Sequence, residues 1–146
     1  MFVDMSSLAK LEGYDSHMLL LAYDGSPVAK RALRHAAMLV GRGGKVAVIN
    51  VIPVQSVSSR LETVTDAERS RQASTLREAG VALGRFGIEP ELIEAVGDPL
   101  TEILAAAQAT NAGTIVVGRS ERRHLGHGSL DSRLVRGAQA DVLVVP

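Results

Sequence analysis

The chain has 146 residues, and its 16 Lys plus Arg balance its 16 Asp plus Glu, so no net field draws it to nucleic acid or to a membrane surface. A hydrophobic share of 46% and a charged share of 22% are those of an ordinary globular protein, of a length that suits one domain with a real core. The lack of cysteine excludes a disulfide framework, thiolate chemistry and zinc–cysteine sites, and two Tyr, two Phe and no Trp leave few platforms for stacking a base or a flavin.

The opening "MFVDMSSLAKLEGYDS", residues 1–16, has no basic start followed by an apolar run. It does not read as a signal peptide, and a cytoplasmic protein is expected. No apolar run approaches the roughly 20 residues that span a bilayer. "HMLLLAYD" (His17 to Asp24) is a short, non-alternating apolar run that fits a strand buried on both faces. In "DGSP", Ser26 is placed to cap a helix and Pro27 to open it. Val28, Ala32, Ala36 and Leu39 then recur at helical spacing, opposite Lys30, Arg31, Arg34 and His35, and Gly41, Gly43 and Gly44 end the helix.

"KVAVINVIPV" (Lys45 to Val54) reads as a second buried strand, and a polar helical segment follows between Leu61 and Arg85. "EPELIEAVG" is a third strand, with Leu92, Glu94 and Val96 opposite Ile93 and Ala95. Asp98 and Pro99 open the next helix, whose inward stripe is Leu100, Ile103, Leu104 and Ala107. "TIVVG" (Thr114 to Gly118) is a fourth strand. Ser129 caps a short helix with Leu130, Leu134 and Val135 inward, and "DVLVVP" is a fifth strand.

Strict alternation of strands and helices predicts a single α/β, Rossmann-like domain with a parallel sheet covered on both faces. Ligands of such sheets bind beyond the carboxyl ends of the strands, where the winding reverses. The candidates are the ends of the first, second and fourth strands: Tyr23–Asp24, Val51–Ile52 and Gly118. Strand order does not follow from spacing alone.

"MLLLAYDGSPVAKRALRHAAMLV", "VAVINVI", "GDPLTEILAAAQATNAGTIVVG" and "GSLDSRLVRGAQADVLVVP" together resemble the universal stress protein family, over residues 17–146 and with nothing matched in 1–16. The resemblance implies a doubly wound five-stranded sheet of order 3-2-1-4-5 and a homodimer built through the last strand. Some members bind ATP through G-x2-G-x9-G-[S/T] after the fourth strand, and others do not. Carried over, the matching positions are Asp24 with Ala22 beside it and Val51 for the adenosine, Gly118, Gly128 and Ser129 for the phosphates, and Leu130 next to them. The sequence departs from that pattern at two points. Glu121 stands at the middle glycine position, and the step from Gly118 to Gly128 is three residues shorter than the pattern prescribes. A glutamate there repels a phosphate unless its side chain turns away.

Local charge favours an anion, since Arg119, Arg122, Arg123, Arg133 and Arg136 face only Glu121 and Asp131 between Gly118 and Arg136. "HLGH" inside "RRHLGHGS" has the spelling of a nucleotidyl-transfer motif, but that motif opens the first helix and here the stretch follows the fourth strand. A downstream lysine loop is impossible, because the last lysine is Lys45. His124 and His127 lack a placed third ligand for a metal. "GRGGK" precedes a strand and lacks phosphate-loop spacing, so it is a turn. The leading expectation is a non-enzymatic stress regulator that binds an adenine nucleotide, ATP with Mg2+ bridging its phosphates, with at most slow incidental hydrolysis. The alternative is a dimeric module of the same fold that binds no ATP and contacts an unknown protein partner.

Overall fold

A computed structural model of the chain describes residues 18–41, 43–54, 64–120 and 128–146. The expected N-terminal extension, residues 1–16, lies outside the described residues, as does the start of the polar segment before residue 64. Five strands, β1 (Met18–Ala22), β2 (Lys45–Pro53), β3 (Glu91–Gly97), β4 (Thr114–Gly118) and β5 (Asp141–Val145), form one sheet of order β3-β2-β1-β4-β5. All four neighbouring pairs are parallel. The helices among the described residues are α1 (Pro27–Val40), α2 (Asp66–Gly84), α3 (Pro99–Ala109) and α4 (Leu130–Gly137).

The inner strands β1, β2 and β4 are apolar without alternation because both faces are covered, and successive residues serve different cores. Leu19, Leu21, Val46, Val48 and Val116 pack with α1 and α2. Leu20, Ala47, Ile49, Ile115 and Val117 pack with α3 and α4. Each sealed aliphatic side chain contributes roughly 1.5–3 kcal/mol relative to exposure.

The helix starts follow the capping logic of the sequence. Ser26 accepts from the Ala29 N–H at 3.2 Å, Asp98 from the Thr101 N–H at 3.0 Å, and Ser129 from the Ser132 N–H at 3.3 Å. Thr65 opens α2 in the same way, accepting from the Glu68 N–H at 3.1 Å.

Two inward stripes differ from expectation. On α1 the buried residues are Ala29, Ala32, Leu33, Ala36 and Val40, while Leu39 is 57% exposed. On α4 Leu134 is buried as expected, but Val135 is 56% exposed and Asp131 is turned inward. On α1 the sheet selects the i, i+3, i+4, i+7 set that starts at Ala29, which leaves Leu39 outside, and on α4 it selects the face of Asp131 and Leu134.

Candidate functional site

Winding reverses between β1 and β4, neighbours in the sheet whose crossovers run to opposite edges. At the end of β1, the Tyr23 N–H donates to the Ile49 carbonyl at 3.0 Å, and the chain then turns away into α1. Asp24 is exposed and forms an Asx turn, its Oδ1 accepting from the Ser26 N–H at 2.9 Å. Gly25, at φ 80°, makes the bend possible. One oxygen of Asp24 is thus committed to holding the turn.

Gly118 ends β4 directly beside this turn. A Cβ on Gly118 would stand 2.9 Å from Val28 Cγ1 and 3.2 Å from the Val28 backbone carbon, so the first turn of α1 is seated on this glycine. Val28 fell in the expected inward stripe of α1; its contact is with the strand end and not with the core proper. Ala22 and Val51, at the ends of β1 and β2, share the core on the α3–α4 side with Leu130. Three of the expected contact residues therefore pack against the core on the same face of the sheet.

Gly128 precedes α4 at φ 72°, a left-handed conformation that favours glycine. The Arg136 guanidinium lies over it, since a Cβ there would meet Nη2 at 3.2 Å. The Ser129 hydroxyl is occupied by its own helix, accepting from the Ser132 N–H and bonded to the Ser132 hydroxyl at 2.8 Å. Asp131, only 8% exposed, carries a buried Oδ1 with no hydrogen-bond partner among the described residues. Nearby, the Thr101 hydroxyl and then its backbone N–H hold the Asp98 carboxyl below the usual carboxylate range, with Arg133 adding to the effect. Glu121, Arg122, Arg123, His124 and His127, and with them "HLGH", lie outside the described residues. Among the described residues no group of three His, Cys, Asp or Glu could hold a metal ion.

The sequence reading missed a set of linked polar side chains at the β1–β3 side of the edge, of which Tyr23 and Gln72 are buried. The Asn50 side-chain amide donates to the Tyr23 carbonyl at 2.8 Å. Gln72 Nε2 donates to the Asn50 carbonyl at 2.8 Å and to the Ala95 carbonyl at 2.9 Å. The Tyr23 hydroxyl donates to Glu78 Oε1 at 2.9 Å. Burial first, and then that bond, pushes the Tyr23 hydroxyl well above the usual phenol range. Signals were present: Asn50 interrupts an apolar strand, and Gln72 heads a stripe continued by Leu76, Ala79 and Leu83.

A groove of about 740 Å³ lies elsewhere, at the amino end of β4 and β5 between α3 and α4, lined in part by Leu104, Gln108, Gly113 and Ala140. Its walls carry no titratable cluster, and the switch point is the better candidate on chemistry. No helix among the described residues is long and apolar enough to cross a membrane.

The chain is similar to solved universal stress proteins. One from Archaeoglobus fulgidus is 25% identical at a TM-score of 0.73, with 94% of this chain and 99% of that one covered. The structure of the Archaeoglobus fulgidus protein in complex with dAMP is 25% identical at a TM-score of 0.71, with 88% and 96% covered. A universal stress protein in complex with cAMP is 24% identical at a TM-score of 0.72, again with 88% and 96% covered, and bears on the fold. A comparison with curated protein sequences found no match. The sequence pattern of the universal stress protein family matches residues 17–146, and the chain belongs to that family.

Proposed function

We propose that this chain is a nucleotide-responsive stress regulator that binds an adenine nucleotide at the carboxyl edge between β1 and β4. The observation that carries the reading is the seating of the first turn of α1, through Val28, on Gly118 at the point where the winding reverses, directly after the Asp24–Ser26 turn. The dAMP held by the Archaeoglobus fulgidus relative supports the adenine class. In this reading Asp24, with Ala22 beside it, and Val51 hold the adenosine. Gly118, Gly128 and Ser129, with Leu130 next to them, hold the phosphates, helped by the positive end of α4 and by Arg119 and Arg136. ATP is the full ligand. Its Mg2+ arrives on the phosphates, because the described side chains offer no cage of their own. The protein acts by binding, not by turnover, in the cytoplasm and as a homodimer in which the edge strand β5 of one copy meets its counterpart.

A second reading, a dimeric interaction module that binds no ATP, draws on two features. The Ser129 hydroxyl already caps α4, and the buried Asp131 carboxylate adds negative charge beside the phosphate end. Thermal shift with Mg-ATP, ADP, AMP and FMN, together with mass analysis of ligand that co-purifies from cells, separates the two. Saturation at about 100 times Kd stabilises by about 2.7 kcal/mol, a shift of several degrees. No shift with any adenine nucleotide at millimolar concentration overturns the nucleotide reading and leaves the dimeric module.

A further inference from the structure

We infer that Gln72 is the positioning residue for the adenosine end of the site, acting through the Asn50–Val51 peptide and the Tyr23 carbonyl without touching the ligand. The inference rests on the nucleotide reading above. Gln72 occupies the head of the inward stripe of α2, where helical spacing calls for an apolar side chain, and it is only 3% exposed. Its Nε2 reaches three acceptors: the Asn50 carbonyl at 2.8 Å, the Asn50 Oδ1 at 3.3 Å and the Ala95 carbonyl at 2.9 Å. Two N–H groups serve these three, with the Asn50 pair sharing one.

The consequence for the site follows from peptide planarity. The Asn50 carbonyl and the Val51 N–H belong to one rigid unit, so fixing the first aims the second. Asn50 passes the constraint on, because its Nδ2 donates to the Tyr23 carbonyl at 2.8 Å, and that carbonyl shares a peptide with the Asp24 N–H. Ala95, the third partner, is paired in register with Val51 across β2 and β3. One amide therefore braces the peptides that lead into both expected adenosine contacts.

The Gln72 Oε1 is buried with no hydrogen-bond partner among the described residues. A leucine or methionine would fill the slot without burying an unpartnered oxygen of its own, but it would withdraw the donors that Asn50 and Ala95 accept from, so what the glutamine adds here is its donors. Every hydrogen-bond partner found for Gln72 lies on β2 or β3, and none lies on β4 or α4.

The test is calorimetric titration of AMP and adenosine into the wild-type protein, Gln72→Leu, Asn50→Asp and the double variant, below the unfolding transition of each as followed by circular dichroism. Loss of the brace weakens adenosine and AMP by the same factor, about tenfold. The double variant then falls no further than the weaker single one, the signature of two residues acting in series. Asn50→Asp cuts the relay at Tyr23 while leaving acceptors for Gln72, and it carries the test should Gln72→Leu fail to fold. Wild-type protein that binds none of adenosine, AMP and Mg-ATP overturns the nucleotide reading and this inference with it. Wild-type binding with folded variants within about twofold of it, or with losses that simply add, overturns the inference alone.

Discussion

At the β1–β2 end of the candidate site, the backbone is held by side chains far away in the chain. At the start of α4 it is held by its immediate neighbours. Asn50 reaches Tyr23 across 27 residues, and Gln72 reaches Asn50 and Ala95 across 22 and 23. The bonds of Ser129 to Ser132 span three residues and belong to the start of α4 whatever surrounds it. The first end is rigid because folding buries amides that must find partners. The second is a capped helix that any exposed N-terminus could form, and it gains function only from where the sheet places it.

Three substitutions test this contrast, in order of expected size. Gly118→Val places side-chain atoms inside the contact with Val28 and forces α1 off the strand end. A loss of roughly 1–3 kcal/mol in urea unfolding is expected from overpacking. A loss of only a few tenths would mean that α1 is not anchored there.

Tyr23→Phe removes the bond to Glu78 and with it roughly 1–2 kcal/mol, read from the same unfolding curves. The folded protein holds the Tyr23 hydroxyl above its unfolded pKa, so this contribution is complete below that value and is lost as pH rises through the folded one. From about pH 10 upward the wild type therefore loses stability faster than Tyr23→Phe. Parallel curves would remove the long-range bond from the account of this end.

The smallest effect belongs to the local end. Ser129→Ala gives up the cap of α4 and costs about 1 kcal/mol or less, with the rest of the fold intact by circular dichroism. A loss larger than that of Tyr23→Phe would reverse the comparison and make the start of α4 the more tightly built of the two.

The same contrast explains which parts of the molecule could be read in advance. Ser26, Asp98 and Ser129 were recognisable as caps because a cap is decided within four residues. The inner strands β1, β2 and β4 were recognisable because burial on both faces removes alternation, and β3 because it alternates. Leu39 and Val135 were misread because spacing gives a period but not its phase, and the phase was set by contact with the sheet. Asp131 was read as one of the charges of a basic stretch, and Gln72 was passed over within a polar segment. Their burial depends on what packs over them, which no local pattern records.

Local composition, periodicity and turn chemistry thus determined the strands, the helices and the positions of their caps, because those choices are made between residues a few steps apart. The alternation of strand and helix determined the layered fold. The tertiary structure alone decided that Val28, at the start of α1, seats on Gly118 at the end of β4, and that Gln72 and Asn50 tie three strand ends from beneath. Those contacts join residues dozens of positions apart, and their partners are chosen by the packing of the sheet.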